Sequence, residues 1–304
     1  MIHLFTIFAV IGLAWLGANA LHGAWVVARR WYWERRHVRD ADGLLPKAAA
    51  YQVGDGAIAL LFIHGFADTP YLWRRVADRL AASGAFTCRA MRLPGHAEPA
   101  ARTGRQSLAR WRAEVDAEVA RLRETHEAVW VVGHSLGGAL ALDAALRVPE
   151  RVGGVAVFAP LVDVSHKRCP IFQAQVWFSL ARIALCLSPV FESPFSSDNA
   201  AEDDPSFTYP RDRFIPFSVY SALFRLVEEN HNRAAHLARP LFAVTAGRDS
   251  VVDSAAARRW LAACPVAKDI RDLPEARHVV PLASGWEALF DAFAAFVLAH
   301  TRQP

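Results

Sequence analysis

The chain has 304 residues, of which 53% are hydrophobic and 21% are charged, so it is too apolar for a disordered protein and long enough to bury a sizeable core. Its 17 glycines and 17 prolines follow no collagen-like period, which excludes a fibrous or repeat protein. The net charge is +4 at pH 7, and residues 1–40 account for +3 of it, so the remaining chain lacks the clustered basic residues that nucleic-acid binding requires.

The first predicted element is an apolar helix near the N-terminus. Residues 4–28 contain no formally charged side chain, and these 25 residues are enough for a helix that crosses about 30 Å of hydrocarbon. An aromatic and arginine-rich flank follows directly at residues 29–36, as is typical of a segment at the headgroup level. Residues 1–43 are therefore predicted to form a single-pass transmembrane helix with a basic and aromatic juxtamembrane segment.

The charges around this helix predict its orientation. Because the excess of arginine lies on its C-terminal side, the positive-inside rule predicts that residues 29–304 are cytoplasmic. Two alternatives remain open. Ala18, Asn19 and Ala20 resemble the cleavage site of a secretory signal peptide, which would make the protein secreted or periplasmic, and the apolar segment is also compatible with a buried helix.

Short β-rich segments alternate with longer helical patterns over the rest of the chain. This alternation predicts an α/β fold, with a mostly parallel sheet flanked by helices. Strands are predicted at residues 57–63, 86–93, 128–133, 155–159, 241–246 and 268–273. Helices are predicted at residues 70–82, 106–126, 136–148, 254–263 and 285–300.

The alternation stops for about eighty residues after the fourth predicted strand. Apolar helical stretches and a loop-like segment at residues 193–210 replace it. An insertion of this kind in an α/β protein usually packs as a lid over a site. Residues 161–239 are therefore predicted to be a mainly helical cap, and residues 44–160 and 240–304 to be the core; a structural dimer surface is the alternative for the insertion.

The four cysteines are widely spaced, at Cys88, Cys169, Cys186 and Cys264. None of them forms a Cys-x-x-Cys pair or another spacing typical of metal ligands. The sequence therefore predicts neither a disulfide framework nor a metal site, and we expect four buried, reduced thiols.

The most specific motif is a G-x-S-x-G pattern, Gly133-His134-Ser135-Leu136-Gly137. It follows an apolar strand and precedes an Ala/Leu-rich helix, which is the context of a nucleophile elbow. The sharp turn between strand and helix needs glycine on both sides of the serine, because side chains there would collide with the neighbouring elements. Ser135 is therefore the predicted nucleophile, at the carboxyl edge of the sheet.

A serine nucleophile needs a base, and the base needs a group that orients it. Asp249 and His278 each come just after a predicted strand, so they fall at the same edge of the sheet as Ser135. We expect His278 to act as the base and Asp249 to fix its tautomer and stabilise the imidazolium. Asp253 and Asp163 are the alternative acids.

An oxyanion hole is predicted from two backbone amides. His64-Gly65-Phe66 follows an early apolar strand, the position from which the second amide of such a hole comes. The N–H groups of Phe66 and Leu136 are therefore the expected donors, although a simple strand-ending turn is the alternative for residues 64–66. Three other histidines lie inside motifs where structural hydrogen bonds are expected: His64, His96 and His134.

These motifs resemble those of the α/β-hydrolase superfamily over about residues 50–300, and are most similar to the capped monoglyceride lipase and carboxylesterase group, which includes serine aminopeptidases. The resemblance is carried by His64-Gly65-Phe66, Arg92-Leu93-Pro94-Gly95-His96, Gly133-His134-Ser135-Leu136-Gly137-Gly138, Gly247-Arg248-Asp249-Ser250-Val251-Val252 and Arg277-His278-Val279. It implies hydrolysis without cofactor or metal, through an acyl-enzyme on the serine, with the insertion as a cap. The chain departs from the pattern in its N-terminal anchor and at Ala97, where a glycine commonly follows Pro-Gly-His.

The expected function is hydrolysis of carboxylic esters. The apolar segments at residues 171–187 and 216–227 favour an apolar acyl chain, although core packing is the alternative, and a membrane anchor favours lipid-like or monoacylglycerol-type esters. A serine aminopeptidase is one alternative, and it would need an acidic residue of the insertion to bind a substrate amine: Glu192, Glu202, Asp203 or Asp204. A catalytically silent, membrane-tethered binding protein is the other.

Overall fold

The computed structural model describes residues 2–99, 106–167, 171–193 and 198–301. The strands are, in chain order, β1 (Tyr51–Val53), β2 (Ile58–Ile63), β3 (Phe86–Met91), β4 (Ala128–His134), β5 (Gly154–Phe158), β6 (Val190–Glu192), β7 (Asp198–Ala200), β8 (Thr208–Pro210), β9 (Phe214–Pro216), β10 (Leu241–Ala246) and β11 (Lys268–Leu273). The main sheet has the order β1-β3-β2-β4-β5-β10-β11. Within it β1 runs antiparallel to β3, and the other neighbours are parallel.

The central strands β2, β4, β5 and β10 are buried at every position. Their sequences are mostly continuous apolar runs, as expected of parallel strands that are covered by helices on both faces. Ile63 of β2, Gly133 of β4 and Val157 of β5 lie side by side in register. The carboxyl ends of these strands therefore meet at one edge of the sheet, which brings together the side chains that follow them.

The helices complete the layers around the sheet. They are α1 (Ile2–Arg36), α2 (Arg74–Ala81), α3 (Leu108–Arg123), α4 (Leu136–Arg147), α5 (Ala174–Ala184), α6 (Phe217–Asn230), α7 (Ser254–Ala262) and α8 (Trp286–Thr301). Helix α2 packs against α8, and α3 packs against α4. The hydroxyl of Ser107 accepts a hydrogen bond from the N–H of Arg110 at 3.2 Å and so caps α3.

Most predicted elements are confirmed with small changes at their ends. The six predicted strands are present, each within two residues of its predicted bounds. Helix 70–82 begins as a 3₁₀ turn at Pro70–Trp73 before α2, and the helix predicted at residues 106–126 is limited to α3. The sequence does not predict β1 or β6 to β9, because three-residue strands are too short to show an alternating pattern.

Residues 161–239, which we call the insert, separate β5 from β10. The two predicted helical stretches are present as α5 and α6, and α6 packs against α4 of the core. The prediction of a loop at residues 193–210 is wrong in part, because β7 pairs with β8 as a short antiparallel ladder. Residues 194–197 lie outside the described residues. Strands β6 and β9, which precede and follow this ladder in the sequence, also pair antiparallel.

Helix α1 is long and mostly exposed. Among the described residues it is the one helix that is long and apolar enough to cross a membrane, a test that a signal sequence near the N-terminus also passes. Asn19 and Val26 are buried on one face against the insert, whereas large apolar side chains around the rest of the helix are exposed. A helix buried in a core, one of the alternatives from the sequence, does not fit this exposure.

The prediction of four buried, reduced thiols is confirmed only in part. Cys88 and Cys264 are buried free thiols. Cys186 is exposed, because it follows α5 at a surface of the insert rather than in the core. Cys169 lies outside the described residues.

Candidate active site

Ser135 occupies a sharp turn between β4 and α4. Its φ of 53° and ψ of −114° lie outside the helical and extended regions, which is a strained backbone for a residue with a side chain. A Cβ atom on Gly133 would collide with the backbone of Gly137, and one on Gly137 would collide with the carbonyl group of Ile63. The two glycines of the motif therefore allow β2, β4 and α4 to approach closely enough to form this turn.

Backbone hydrogen bonds fix the turn on both sides. The N–H of Ser135 donates to the carbonyl oxygen of Phe158 at 3.1 Å. The carbonyl oxygen of Ser135 accepts from the N–H of Leu161 and from that of Ala139, both at 3.0 Å. Because these partners come from β5, the start of the insert and α4, the serine is held rigidly in spite of its strained conformation.

Ser135, His278 and Asp249 form a chain of hydrogen bonds. The Nε2 atom of His278 lies 3.0 Å from Oγ of Ser135, and its Nδ1 atom lies 2.7 Å from Oδ2 of Asp249. The Asp249 side chain is fully buried, and that of His278 is 15% exposed. The structure thus brings together the three residues that the sequence proposes as nucleophile, base and acid.

The second oxygen of Asp249 is also engaged. Its Oδ1 atom accepts hydrogen bonds from the N–H groups of Val251 at 2.7 Å and Val252 at 3.0 Å. Burial by itself raises the pKa of Asp249, but the hydrogen bond to His278 and these two amides outweigh it, so the pKa lies below its usual value. The carboxylate is therefore ionised near neutral pH and can orient an N–H on the Nδ1 atom of His278.

The alternative acids have other partners. The carboxylate of Asp253 accepts from the N–H groups of Ala255 and Ala256, both at 2.9 Å, and caps α7. That of Asp163 accepts from the N–H of Val164 at 2.7 Å. The hydrogen bond to His278 is made by Asp249, so the geometry favours Asp249 over both alternatives.

A buried histidine holds the loop that carries His278. The Nε2 atom of His134 lies 2.9 Å from the backbone oxygen of His278. Burial, followed by the nearby charge of His278, lowers the pKa of His134 to about 3. The ring is therefore neutral near pH 7 and donates its single N–H to that carbonyl group, which agrees with the structural role expected from the sequence.

The segment predicted to supply an oxyanion amide lies beside Ser135. A Cβ atom on Gly65 would be 3.5 Å from Cβ of Ser135, so the peptide that joins Gly65 to Phe66 is next to the serine. His64 fixes the segment, because its Nε2 atom accepts from the N–H of Leu93 at 3.0 Å while its Nδ1 atom lies 2.9 Å from the oxygen of Gly65. Within the described residues, no hydrogen bond joins the N–H of Phe66 or Leu136 to another protein group.

The insert braces this segment with two residues that the sequence analysis does not identify. Arg211 donates from Nη2 to the carbonyl oxygen of Phe66 at 3.0 Å. The N–H of Asp212 donates to the carbonyl oxygen of Ala67 at 2.9 Å, and its Oδ2 atom accepts from the N–H of Ala97 at 2.7 Å. Ala67 and Ala97 have positive φ angles of 59° and 61°, so the brace also fixes two unusual backbone positions.

Two cavities meet at Ser135. One has a volume of about 350 Å³ and is almost entirely apolar; its walls include Phe66, Leu161, Phe178, Tyr220, Leu223 and Phe224. The other, of about 550 Å³, is more polar; its walls include Asp68, Glu202, Arg211, Arg248, Arg277 and His278. An elongated substrate could therefore place a long apolar group in one cavity and a polar group in the other, with Ser135 in the wall of both.

The acidic residues considered for an amine site differ in their surroundings. Glu192 is paired with Arg29 and Arg213, and Asp203 is paired with Arg75. Asp204 accepts from Ser206. Of the four candidates, Glu202 lines the polar cavity at Ser135, so it is the acid that a substrate amine could approach.

The sheet order, the serine turn between β4 and α4, and the inserted helices define an α/β-hydrolase fold. A solved structure of a monoacylglycerol lipase from Paleococcus ferrophilus superimposes with a TM-score of 0.68 and 20% identity, over 83% of this chain and 98% of that one. Residues 56–282 match the family model described as Serine aminopeptidase, S33. Because this match spans most of the chain, the chain belongs to that family.

Two curated relatives match shorter stretches. The chain is 38% identical over 124 residues to the dihydrolipoyllysine-residue acetyltransferase component of the acetoin cleaving system of Cupriavidus necator. It is 31% identical over 121 residues to a thermostable monoacylglycerol lipase of Bacillus sp. strain H-257. Each match covers 40% of this chain, and the matches span 31% and 48% of the two relatives.

Proposed function

We propose that this chain is a serine hydrolase that cleaves carboxylic esters with an apolar acyl group, and that Ser135, His278 and Asp249 are its catalytic triad. The observation that carries the proposal is the unbroken chain of hydrogen bonds from Oγ of Ser135 through His278 to the buried carboxylate of Asp249. Family membership and the relatedness to a monoacylglycerol lipase support the same reaction class.

In the acylation step, Nε2 of His278 takes the proton of the Ser135 hydroxyl as Oγ attacks the ester carbonyl carbon. The carbonyl oxygen becomes an oxyanion, which the N–H groups of Phe66 and Leu136 would stabilise. Asp249 stabilises the imidazolium through Nδ1. The tetrahedral intermediate then collapses, the bond to the alcohol oxygen breaks, and His278 returns its proton to that leaving group.

In the deacylation step, water takes the place of the alcohol. His278 removes a proton from the water as its oxygen attacks the acyl carbon, and the same two amides receive the oxyanion. Collapse of the second intermediate releases the carboxylic acid and returns the proton to Ser135. No metal or cofactor is needed for either step.

The two cavities favour a lipid-like ester. The apolar cavity of about 350 Å³ suits an acyl chain, and the polar cavity of about 550 Å³ suits a hydrophilic alcohol such as glycerol. Phe178, Tyr220 and Phe224 come from the insert and line the apolar cavity, so we propose that the insert acts as a cap. We also propose that α1 anchors the enzyme in a membrane, where such amphiphilic substrates concentrate.

The test uses the full chain in detergent micelles, with p-nitrophenyl esters of rising acyl length, a monoacylglycerol and an aminoacyl arylamide as substrates. Ser135→Ala should abolish ester turnover and labelling by a fluorophosphonate probe, whereas the control Ser83→Ala in the turn after α2 should retain both. Turnover of the arylamide alone would favour the aminopeptidase, with Glu202 as the amine ligand. Absence of both turnover and labelling in the wild type would favour a silent binding protein.

A further inference from the structure

Helix α5 is apolar on two opposite faces. Its inner face lines the apolar cavity with Ala174, Phe178 and Ala181. Its outer face carries Val176, Leu180 and Ile183, which recur every three or four residues and are between 42% and 66% exposed. Phe172 just before the helix and Leu187 just after it are 47% and 51% exposed. A helix that is apolar on its solvent side needs a partner of its own, because contiguous exposed apolar surface is typical of a docking site.

Helix α1 is docked against the C-terminal end of α5. The side-chain amide of Asn19 donates to the carbonyl oxygen of Ala184 at 2.7 Å, one of the last-turn carbonyl groups that have no partner inside the helix. One turn further along α1, Gly23 approaches so closely that a Cβ atom there would be 2.9 Å from the oxygen of Leu187. The end of the outer face therefore has a fixed position along α1.

The charged residues of α1 indicate how deep in a bilayer its contacts with the insert would lie. Arg29 is the first charged residue after the apolar stretch, and it forms two hydrogen bonds with Glu192 of the insert, at 2.7 and 2.8 Å. In a membrane-spanning helix such an arginine marks the headgroup level. At 1.5 Å per residue, Gly23 lies about 9 Å and Asn19 about 15 Å from Arg29 toward the hydrocarbon. Their partners, Leu187 and Ala184, are held at the same depth.

The composition of the outer face fits lipid. Residues 171–187 contain no acidic side chain and one basic residue, Arg182, which suits a surface beside anionic headgroups. The hydrogen bond from Asn19 gives a partner to its side-chain NH₂ group and to a helix-end carbonyl group, each of which would be costly in hydrocarbon without one. Trp177 lines the apolar cavity and is 41% exposed, so the cavity reaches the surface along this helix.

We propose that the outer face of α5 inserts into the same bilayer that α1 spans, so that the acyl cavity at Ser135 opens toward the hydrocarbon of that membrane. The inference rests on the proposed function and on α1 being a membrane span. The partner of this face is the bilayer itself, which is also the source of substrate. The docked α1 is the element that sets the depth of the insert.

The first test measures contact with lipid. The full chain, with Cys169 and Cys186 replaced by serine, is placed in phosphatidylcholine–phosphatidylglycerol vesicles and labelled with a polarity-sensitive fluorophore at a single introduced cysteine. The labels compared are Ile183→Cys on the outer face, Leu13→Cys in α1 and Glu124→Cys in the turn before β4. Nitroxide groups on the lipid acyl chains should quench the labels at 183 and 13, but not the label at 124.

The second test measures catalysis. Leu180→Asp combined with Ile183→Asp should lower turnover of a monoacylglycerol in vesicles by about tenfold or more, since burying one aliphatic side chain in lipid is worth at least that factor. Turnover of soluble p-nitrophenyl acetate should be unchanged. The matched control, Ala255→Asp with Ala262→Asp at exposed positions of α7, introduces the same two negative charges and should change neither rate.

The outcomes separate this proposal from the proposed function. An unquenched label at 183 beside a quenched label at 13 overturns insertion, while Ser135-dependent ester turnover still supports the hydrolase. Unquenched labels at both positions overturn the span and the insertion together. A label at 183 that is shielded only when the protein dimerises assigns the face to a second copy and overturns the proposal. Absence of ester turnover in the wild type would instead refute the proposed hydrolase function.

Discussion

The guanidinium group of Arg211 donates a hydrogen bond from Nη2 to the carbonyl oxygen of Phe66 at 3.0 Å. Arg211 belongs to the insert, whereas Phe66 follows β2 in the core and has one of the two amides expected to bind the oxyanion. The ring of Phe66 also contacts that of Tyr220, at 4.9 Å between centroids. The position of the insert is therefore coupled to the position of the amide that we propose as an oxyanion donor.

Replacement of Arg211 tests this coupling. Arg211→Met should lower kcat by about tenfold with a smaller change in KM, because a misplaced oxyanion donor loses part of the factor of 10² to 10³ that such a donor supplies. The measurement is steady-state turnover of a short p-nitrophenyl ester, together with the apparent Tm. Arg211→Lys should recover part of kcat, since an ammonium group can also donate to the carbonyl oxygen of Phe66.

The control for this experiment is Arg213→Met, which removes the neighbouring arginine that pairs with Glu192. It should leave kcat close to the wild-type value. A normal kcat in Arg211→Met would show that the amide of Phe66 is held without the insert. If Arg211→Met and Arg213→Met lose the same amount of apparent Tm and the same amount of kcat, Arg211 acts only through stability.

The glycines of the serine turn give a second prediction. Gly137→Ala places a Cβ atom against the carbonyl group of Ile63 in β2, where the backbone cannot move aside. We expect a loss of about 3 kcal/mol in the free energy of unfolding, at the upper end of the usual cost of overpacking. The control is Gly138→Ala, whose Cβ atom would be 3.1 Å from Cα of Pro160, and it should lose much less. Denaturant midpoints of the full chain in detergent measure both, and equal midpoints would contradict the account of the turn.

The serine turn could be predicted from the sequence because its determinants are local. Gly133 and Gly137 lie within two residues of Ser135, and the steric reason for each glycine applies wherever a strand meets a helix this sharply. Asp249 and His278 could be predicted for a related reason, since each follows a strand of a parallel sheet and such strand ends converge. Their separation in sequence therefore did not hide their proximity.

Contacts that depend on the placement of the insert could not be predicted in this way. Arg211 and Phe66 are 145 positions apart, and no local pattern distinguishes Arg211 from Arg213. Asn19 is a similar case, because the sequence suggests part of a signal-peptide cleavage site, whereas its partner is a backbone carbonyl group of Ala184, 165 positions away. Backbone acceptors have no sequence signature, so such contacts are visible only in the structure.

The acyl cavity gives a third prediction. Ala181 lines it from the inner face of α5, so Ala181→Phe should fill part of the volume and move the optimum of kcat/KM toward shorter p-nitrophenyl esters. Val176→Phe, on the outer face of the same helix, should leave the optimum unchanged. An unchanged optimum in Ala181→Phe, with normal stability, would show that the acyl chain lies elsewhere.

The fourth prediction concerns Asp212, the second residue of the brace. Burial raises its pKa from an ordinary value of 3.8 to about 7, in spite of the hydrogen bond from the N–H of Ala97, which favours the ionised form. The native state therefore holds a proton that the unfolded chain releases between these two values. It follows that the free energy of unfolding decreases as the pH rises from about 4 through about 7.

Asp212→Asn should remove this dependence while its side-chain oxygen still accepts from Ala97. The free energy of unfolding of Asp212→Asn, minus that of the wild type, should be about 2 kcal/mol larger at pH 8 than at pH 5. Each pKa unit corresponds to about 1.4 kcal/mol, and the expected difference is reduced because Asp212 is only half-buried. Paired denaturant titrations in detergent at the two pH values measure this difference. Asp55→Asn, which replaces an exposed carboxylate, should show no such change. Parallel curves for Asp212→Asn and the wild type would mean that Asp212 is already ionised at pH 5, and that the brace is held by a charged rather than a protonated carboxyl group.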